Sequence, residues 1–357
     1  MNKKKLYKYF NKKKIIITGH TGFKGAWLTL WLSNLGANIL GLSDREPTKP
    51  CHFKQLNLKN VKSKKLDINN FKSLNREIKN FKPDYIFHLA AQAIVKESYK
   101  NPIKTFKTNT LGTINLLESL RDTKKETISI IITSDKSYKN IETKRGYTEK
   151  DMLAGEDPYG ASKSAADIAI NSYVKSFFSN NKNKNFIAVA RAGNVIGGGD
   201  WSEDRLIPDC IRACLKKKTV KIRNPNSTRP WQHVLDVIHG YLTLAINLKK
   251  NKRIHGEAFN FGPNKENNYR VIDILKMSKK VWPIIKWSFQ NKKTYKENFL
   301  LNLNNAKAKK IINWKPNLNI KKSINLTIGW YKYYLINKGK SIKDKSSKQI
   351  QEFEKLI

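Results

Sequence analysis

The chain has 357 residues, 39% of them hydrophobic, enough to bury a sizeable core and build one large α/β unit with a smaller lobe. Against 28 Asp and Glu stand 70 Lys and Arg, a formal charge of +42. The charge sits mostly on scattered lysines, with no zinc-finger spacing, basic-zipper heptads or RNA-recognition aromatics, so nucleic acid is not the expected partner and compositional drift is the simpler reading.

A positive field would still speed the arrival of an anionic substrate. Cys51, Cys210 and Cys214 lack the His or second Cys pair that a metal set needs, so no metal is expected and the thiols read as reduced in a cytoplasmic protein. The basic start MNKKKLYKYFNKKK leads only into Ile15-Ile16-Ile17 before Thr18-Gly19, too short for a signal core. No apolar run reaches spanning length, and no membrane partner is expected.

Residues 14–18 (KIIIT) form a β-branched run that ends in Gly, the pattern of a buried parallel strand. Residues 26–35 predict a helix closed by Gly36. Residues 38–42 predict the next strand, ending at Ser43-Asp44, and a Pro-containing loop follows. A helix is predicted at 71–80, and strands at 85–90 and 129–133 flank a helix near 110–120. A further helix at 160–178 precedes a strand at 186–190. This alternation implies an α/β fold, a doubly wound parallel (Rossmann) sheet.

After Arg191 the pattern loosens into a smaller mixed C-terminal substrate lobe. The division is 1–192 for the dinucleotide domain and 193–357 for the lobe, with short segments near 233–262 returning to the first. Trp27 and Trp31, spaced i, i+4, predict helix–sheet packing. Cys210 and Cys214 would share a helix face, and His88 at a strand end reads as structural. The stretch 338–357 is polar and charged and is expected to pack weakly or fray.

Three constellations carry chemistry. Gly19, Gly22 and Gly25 follow the first strand and open the first helix: Gly19 for the tight turn, Gly22 for backbone approach to a pyrophosphate, Gly25 for close helix–strand packing. The free amides at the helix start then face an anion. Asp44, about twenty positions on, is placed to accept bonds from both ribose hydroxyls of NAD and to repel a 2′-phosphate. Asp67-Ile68 falls where an adenine contact would lie, or is a plain loop. Tyr159 and Lys163 share one helix face, where the ammonium would favour a phenolate able to take a hydroxyl proton. Ser134 ends a strand at its carboxyl edge, where ligands gather, and can bond the reacting hydroxyl. Asp135-Lys136 beside it is either an exposed ion pair or an acid and a base.

The segments TGHTGFKGAWL (18–28), HLAAQAIVKESYKNP (88–102), TNTLGT (108–113), TSDKSYKN (133–140), GEDPYGASK (155–163), ARAGNVIGGGDWSEDRLIPD (190–209) and RNPNSTRPWQHVLD (223–236) together resemble the extended short-chain dehydrogenase/reductase family, over about residues 14–335. Asp135-Lys136, GNVIGGGDW and RPWQHV are most similar to its CDP-glucose 4,6-dehydratase branch. The resemblance implies bound NAD, a nucleotide-sugar substrate and a homodimer formed through the helices near 110–120 and 160–178. It implies that Tyr159, helped by Lys163 and Ser134, deprotonates the 4-hydroxyl. Lys136 would take the carbon-5 proton and Asp135 would protonate the departing 6-hydroxyl. It places His20, Phe23 and Ala90 with Ile68 around the cofactor, and Asn194, Arg205 and Arg229 over the nucleotide and diphosphate.

Trp231 and His233 are ligands or core supports. The chain departs from the pattern at His20, where a small residue is common, at Lys96 for Arg, at Ser137 for Cys, at Gly160 for Ser and at Ile312-Asn313-Trp314 for Leu-Gly-Trp. Two other functions compete: a 4-epimerase on the same scaffold, which needs no acid–base pair after Ser134, and a basic polyanion-binding protein without catalysis.

Overall fold

The computed structural model describes residues 2–180, 184–264, 268–290 and 300–357. Seven strands make the main sheet: β1 (Lys14–Thr18), β2 (Asn38–Ser43), β3 (Val61–Lys65), β4 (Tyr85–His88), β5 (Thr127–Ile132), β6 (Asn185–Ala192) and β7 (Ala258–Phe261). Their order is β7-β6-β5-β4-β1-β2-β3, all parallel. The doubly wound sheet reverses direction between β1 and β4. Such a switch point opens a crevice at the carboxyl ends of the strands, here beside the aligned pair Thr18 and His88.

The period of two sorts the β-branched side chains to opposite faces. Ile15 and Ile17 join one core with Phe87 and Ile130, whereas Ile16 joins the other with Leu40, Ile86 and Ile131. Helices cover both faces: α1 (Lys3–Phe10), α2 (Phe23–Asn34), α3 (Phe71–Phe81), α4 (Gly112–Arg121), α5 (Pro158–Tyr173), α6 (Val234–Lys250), α7 (Ile320–Ile336) and α8 (Ile342–Glu354). Beyond β6, two-stranded pairings replace the large sheet: Val195–Ile196 with Gln232–His233, Thr228–Arg229 with Tyr269–Arg270, and Val220–Ile222 with Trp287–Phe289. Among the described residues no helix is long and apolar enough to cross a membrane.

One expectation needs correction. The stretch 338–357 does not fray. It contains α8, whose Ile342, Ile350 and Phe353 are fully buried, so a few apolar residues on one face suffice to dock it. Trp27 and Trp31 join the core that also holds Ile15, Ile17 and Ile39 of the sheet. Trp27 bonds the Gly198 carbonyl at 2.8 Å, while Trp31 bonds Glu354 at 3.0 Å and meets Phe353 edge-on at 5.6 Å. The edge strand β3, VKSKK, carries no apolar period, and its lysines guard an open edge against further pairing. The basic N-terminus folds as α1 and buries Leu6 and Phe10.

Phe353 closes the seam between α2, α6 and α8, touching Trp31 and His239. Phe353→Ala should therefore cost about 3 kcal/mol in urea unfolding, whereas a fraying tail would give no change.

Candidate active site

The glycine loop leads from β1 to α2. Gly19 has φ +72, and a Cβ there would lie 2.7 Å from the Ala90 nitrogen. A Cβ on Gly25 would lie 2.1 Å from the Gly19 carbonyl oxygen. The loop therefore packs backbone against backbone at the switch point, with Ala90 donating to the Thr18 hydroxyl at 3.2 Å. Helix α2 starts at Gly22 with no side-chain cap and no acidic residue in its first turn. Its amides are free to meet an anion, and this cradle fits a dinucleotide pyrophosphate.

Asp44 follows β2 with its carboxylate half exposed and Arg45 at 3.8 Å. Asp67 is exposed and holds the turn at Asn69 at 2.9 Å. Ile68 is buried against Gly112. Phe23 reaches Gly197 across the mouth of the crevice.

His20 points elsewhere. Its ring is buried, bonded to Ser43 at 2.9 Å and Ser63 at 2.7 Å, and lies over Gly41, which has no Cβ to obstruct it. Burial holds it near pKa 4, so it is neutral at pH 7. Only its backbone remains for a cofactor.

Ser134, Asp135 and Lys136 form the turn after β5, which α5 receives on its first two turns. The Ser164 hydroxyl donates to the Ser137 carbonyl at 2.7 Å. A Cβ on Gly160 would stand 2.6 Å from the Lys136 carbonyl oxygen. The Gly for Ser departure thus permits a close contact between turn and helix. Ser134 donates to Asp135 at 3.1 Å, and its hydroxyl acts on the Tyr159 phenol. Lys163 is buried and donates to the Ile132 carbonyl at 3.1 Å.

Asp135 is buried, and its Oδ2 makes no hydrogen bond among the described residues. Desolvation raises its pKa, against the pull of Lys136, Ser134 and Arg229. A carboxyl that binds its proton more tightly than usual inside a crevice is suited to donate it.

The phenol does not follow the expected direction. Desolvation pushes Tyr159 up to about 12, although Ser134 and Arg205 pull it down. Lys163 itself is lowered to about 8 by burial, with Asp167 opposing. The protein's own groups therefore leave Tyr159 protonated at neutral pH. The Lys136 side chain is 35% exposed, and its ammonium is 3.8 Å from Asp157.

Asn194 accepts from the Gln232 amide at 3.0 Å, next to Gly193, whose missing Cβ leaves room for the Asp135 carboxyl. Arg205 is held by buried Asp200 at 2.8 Å, and its charge acts on Tyr159. Arg229 acts on Asp135. Lys96 pairs with Asp204 at 3.4 Å. Trp231 and His233 are buried supports, Trp231 bonding the Tyr269 carbonyl and His233 capping α6. His88 bridges Thr18 and Thr113 inside the core.

Several residues around the site escaped sequence reasoning. Asn109, buried in a π-helical turn, bonds Ser162 and both the amide and carbonyl of Gln92, tying the segment after β4 to α5. Buried Arg191 grips Asp167 at 2.9 Å and donates to Tyr138 at 2.8 Å, and Tyr138 donates to Asn260 at 2.8 Å. This network joins α5, β6, β7 and the segment just past the Ser134–Lys136 turn. Asp167 stands four residues after Lys163, a spacing that could have flagged it. Lys24 enters the site from α2 and donates to Tyr241 at 3.3 Å.

The family described as GDP-mannose 4,6 dehydratase matches residues 16–327. The chain belongs to that family. Within it, the chain is 37% identical to the CDP-glucose 4,6-dehydratase of Salmonella typhimurium, over 97% of each protein. It is 27% identical to a UDP-glucose 4-epimerase of Mycoplasma genitalium, over 71% of this chain and 77% of that one. Two solved structures share the fold. An epimerase of Methanothermobacter thermautotrophicus superposes with TM-score 0.82 at 23% identity, covering 94% of this chain and 97% of its own. The dTDP-glucose 4,6-dehydratase of Bacillus anthracis, in complex with NAD, superposes with TM-score 0.73 at 22% identity, covering 90% and 97%. The extended short-chain dehydrogenase/reductase fold read from the sequence is the fold of this family.

The raised pKa of Asp135 has a sign that can be checked. The folded state binds its proton more tightly than the unfolded chain, so stability falls as pH rises from 3.8 through the raised value. Asp135→Asn should raise the melting temperature at pH 7.5, and the gain should vanish below the ordinary carboxylate range. A melting temperature that drops at pH 7.5 would mean the carboxylate is stabilised instead.

Proposed function

We propose that the chain is a CDP-glucose 4,6-dehydratase, which converts CDP-D-glucose to CDP-4-keto-6-deoxy-D-glucose and water in deoxysugar and polysaccharide synthesis. The observation that carries the reading is the docked turn: a buried acid and an adjacent lysine, Asp135 and Lys136, face a Tyr159–Lys163 pair at the crevice. An epimerase needs the tyrosine but no acid–base pair. The full-length likeness to the Salmonella typhimurium enzyme supports the choice of nucleotide and sugar.

NAD would be held by the Gly19, Gly22 and Gly25 cradle, with Asp44 on its ribose, Asp67 and Ile68 near the adenine, and Phe23, Ala90, Tyr159 and Lys163 along the nicotinamide half. When bound, it supplies the acceptor that takes hydride from carbon 4 and returns it to carbon 6, so it ends as it began. Tyr159 would take the 4-hydroxyl proton, with Ser134 orienting that hydroxyl and the positive charge of a bound oxidised nicotinamide joining Lys163 and Arg205 in favouring the phenolate. The resulting ketone acidifies the proton on carbon 5.

Lys136 removes that proton. Asp135 gives its proton to the leaving 6-hydroxyl, and water departs. Asn194, Arg205 and Arg229 close over the nucleotide and diphosphate, where a guanidinium can bind two oxygens at once.

The active unit is a homodimer of a cytoplasmic enzyme. Ile103 (83% exposed), Leu111, Ile168 and Phe177 lie exposed on or beside the helical segments around α4 and α5, and these apolar side chains support the pairing.

Incubation with CDP-glucose, dTDP-glucose, UDP-glucose and GDP-mannose, followed by mass spectrometry, tests the assignment. Loss of water from CDP-glucose alone is expected; epimerised product without water loss would replace the reading. Tyr159→Phe should lower turnover at least about a hundredfold. Lys136→Ala should still oxidise carbon 4 but stall before elimination, and unchanged turnover in both variants would contradict the mechanism.

A further inference from the structure

The strands of the main sheet are all parallel, so their carboxyl ends share one edge, which holds the crevice, and their amino ends share the opposite edge. The turns that feed the amino ends carry lysines. Lys12 and Lys13 lead into β1, Lys82 into β4, Lys124 and Lys125 into β5, and Lys184 into β6. Helix α1, with Lys4, Lys5 and Lys8 exposed, stands directly before β1. Helix α6 ends at the same edge, because Lys249 and Lys252 both reach Glu126, just before β5, at 2.8 Å. Lysines far apart in the sequence are thus gathered onto one face by the parallel sheet.

The acids near that edge are already engaged. Asp84 pairs with Lys125 at 2.8 Å, Asp122 with Lys79 at 3.2 Å, Glu257 with Lys307 at 2.6 Å and Glu354 with Lys3 at 3.1 Å. Lys4, Lys5, Lys8, Lys12 and Lys13 are exposed and form no ion pair among the described residues. Tyr7 stands among them, 51% exposed, and Lys250 lies 5.5 Å over the ring of Tyr9. Like charges held this close repel one another and create a positive field that an anionic partner would relieve.

We propose that this face docks the protein on an anionic lipid surface. Leu6 and Phe10 are turned into the core, so α1 does not insert and the attraction is electrostatic. Each ammonium close to a negative membrane adds to the binding, and an exposed tyrosine suits the headgroup level. A surface contact of this kind needs no spanning helix. Lysine, a hydrated point charge, suits a diffuse field, whereas base recognition in nucleic acid draws on the guanidinium fork, and the unpaired cations here are lysines. The crevice lies at the opposite edge and stays open to substrate while the protein is docked. The contact is independent of the reaction proposed above.

The test is co-sedimentation of the whole protein with vesicles of phosphatidylcholine alone and of phosphatidylcholine with about one third phosphatidylglycerol, at about 0.15 M salt. The parent should bind the charged vesicles and not the neutral ones. A variant combining Lys4→Gln, Lys5→Gln, Lys8→Gln, Lys12→Gln and Lys13→Gln should bind at least about a hundredfold more weakly. A control combining Lys216→Gln, Lys218→Gln, Lys221→Gln, Lys276→Gln and Lys280→Gln, exposed lysines beyond β6, loses the same charge and should change binding less than about threefold. Should the first variant fail to fold, Lys12→Gln with Lys13→Gln, outside α1, should still weaken binding about tenfold. Equal weakening in the first variant and the control overturns the proposal, because the attraction would then belong to net charge and not to this face. Equal binding to neutral vesicles, or no binding to charged ones, also overturns it. A DNA duplex that strips the parent from the vesicles at equal phosphate concentration would make nucleic acid the partner instead.

Discussion

The site depends on one contact, the seating of the Ser134–Lys136 turn on the first turns of α5. Gly160 lets the Lys136 carbonyl approach closer than any Cβ would allow, and Ser164 fastens the turn from the next helical turn. That seating buries the Asp135 carboxyl and leaves one oxygen unbonded among the described residues. It also brings Ser134 to the Tyr159 phenol. A looser turn would let water reach the acid, and the raised pKa would be lost.

The contact is held from behind by charge. Arg191 on β6 fixes Asp167 on α5 and Tyr138 just past the turn, and Tyr138 reaches Asn260 on β7. Removing one partner from such a buried network leaves the other charge uncompensated. Asp167 also supports the charge of Lys163, which burial works against. Lys24, Lys163, Arg205, Arg229 and Lys136 all converge on the crevice, so the Asp135 carboxyl sits in a basic surround.

The sheet was legible because buried parallel strands write themselves as continuous β-branched runs, as in KIIIT and SIIIT. The edge strand β3 was not, since Lys62, Lys64 and Lys65 answer to solvent and to edge protection, not to a core. Helix α8 escaped because its apolar residues are too sparse to outweigh a polar composition. The glycine loop and the Tyr159–Lys163 pair lie within single turns, and local spacing reveals them.

The orientation of His20 depends on Gly41 and Ser63, far along the chain. The pKa of Tyr159 depends on burial, which spacing does not carry. Each of these is a tertiary fact, and each altered an expectation.

The central claim is that one crevice oxidises carbon 4, eliminates water across carbons 5 and 6, and reduces carbon 6, with no net redox change. The most direct measurement follows a deuterium label placed on carbon 4 of CDP-glucose. The account predicts that the label appears on carbon 6 of the dehydrated product. A label that stays on carbon 4, or is lost to solvent, would contradict it.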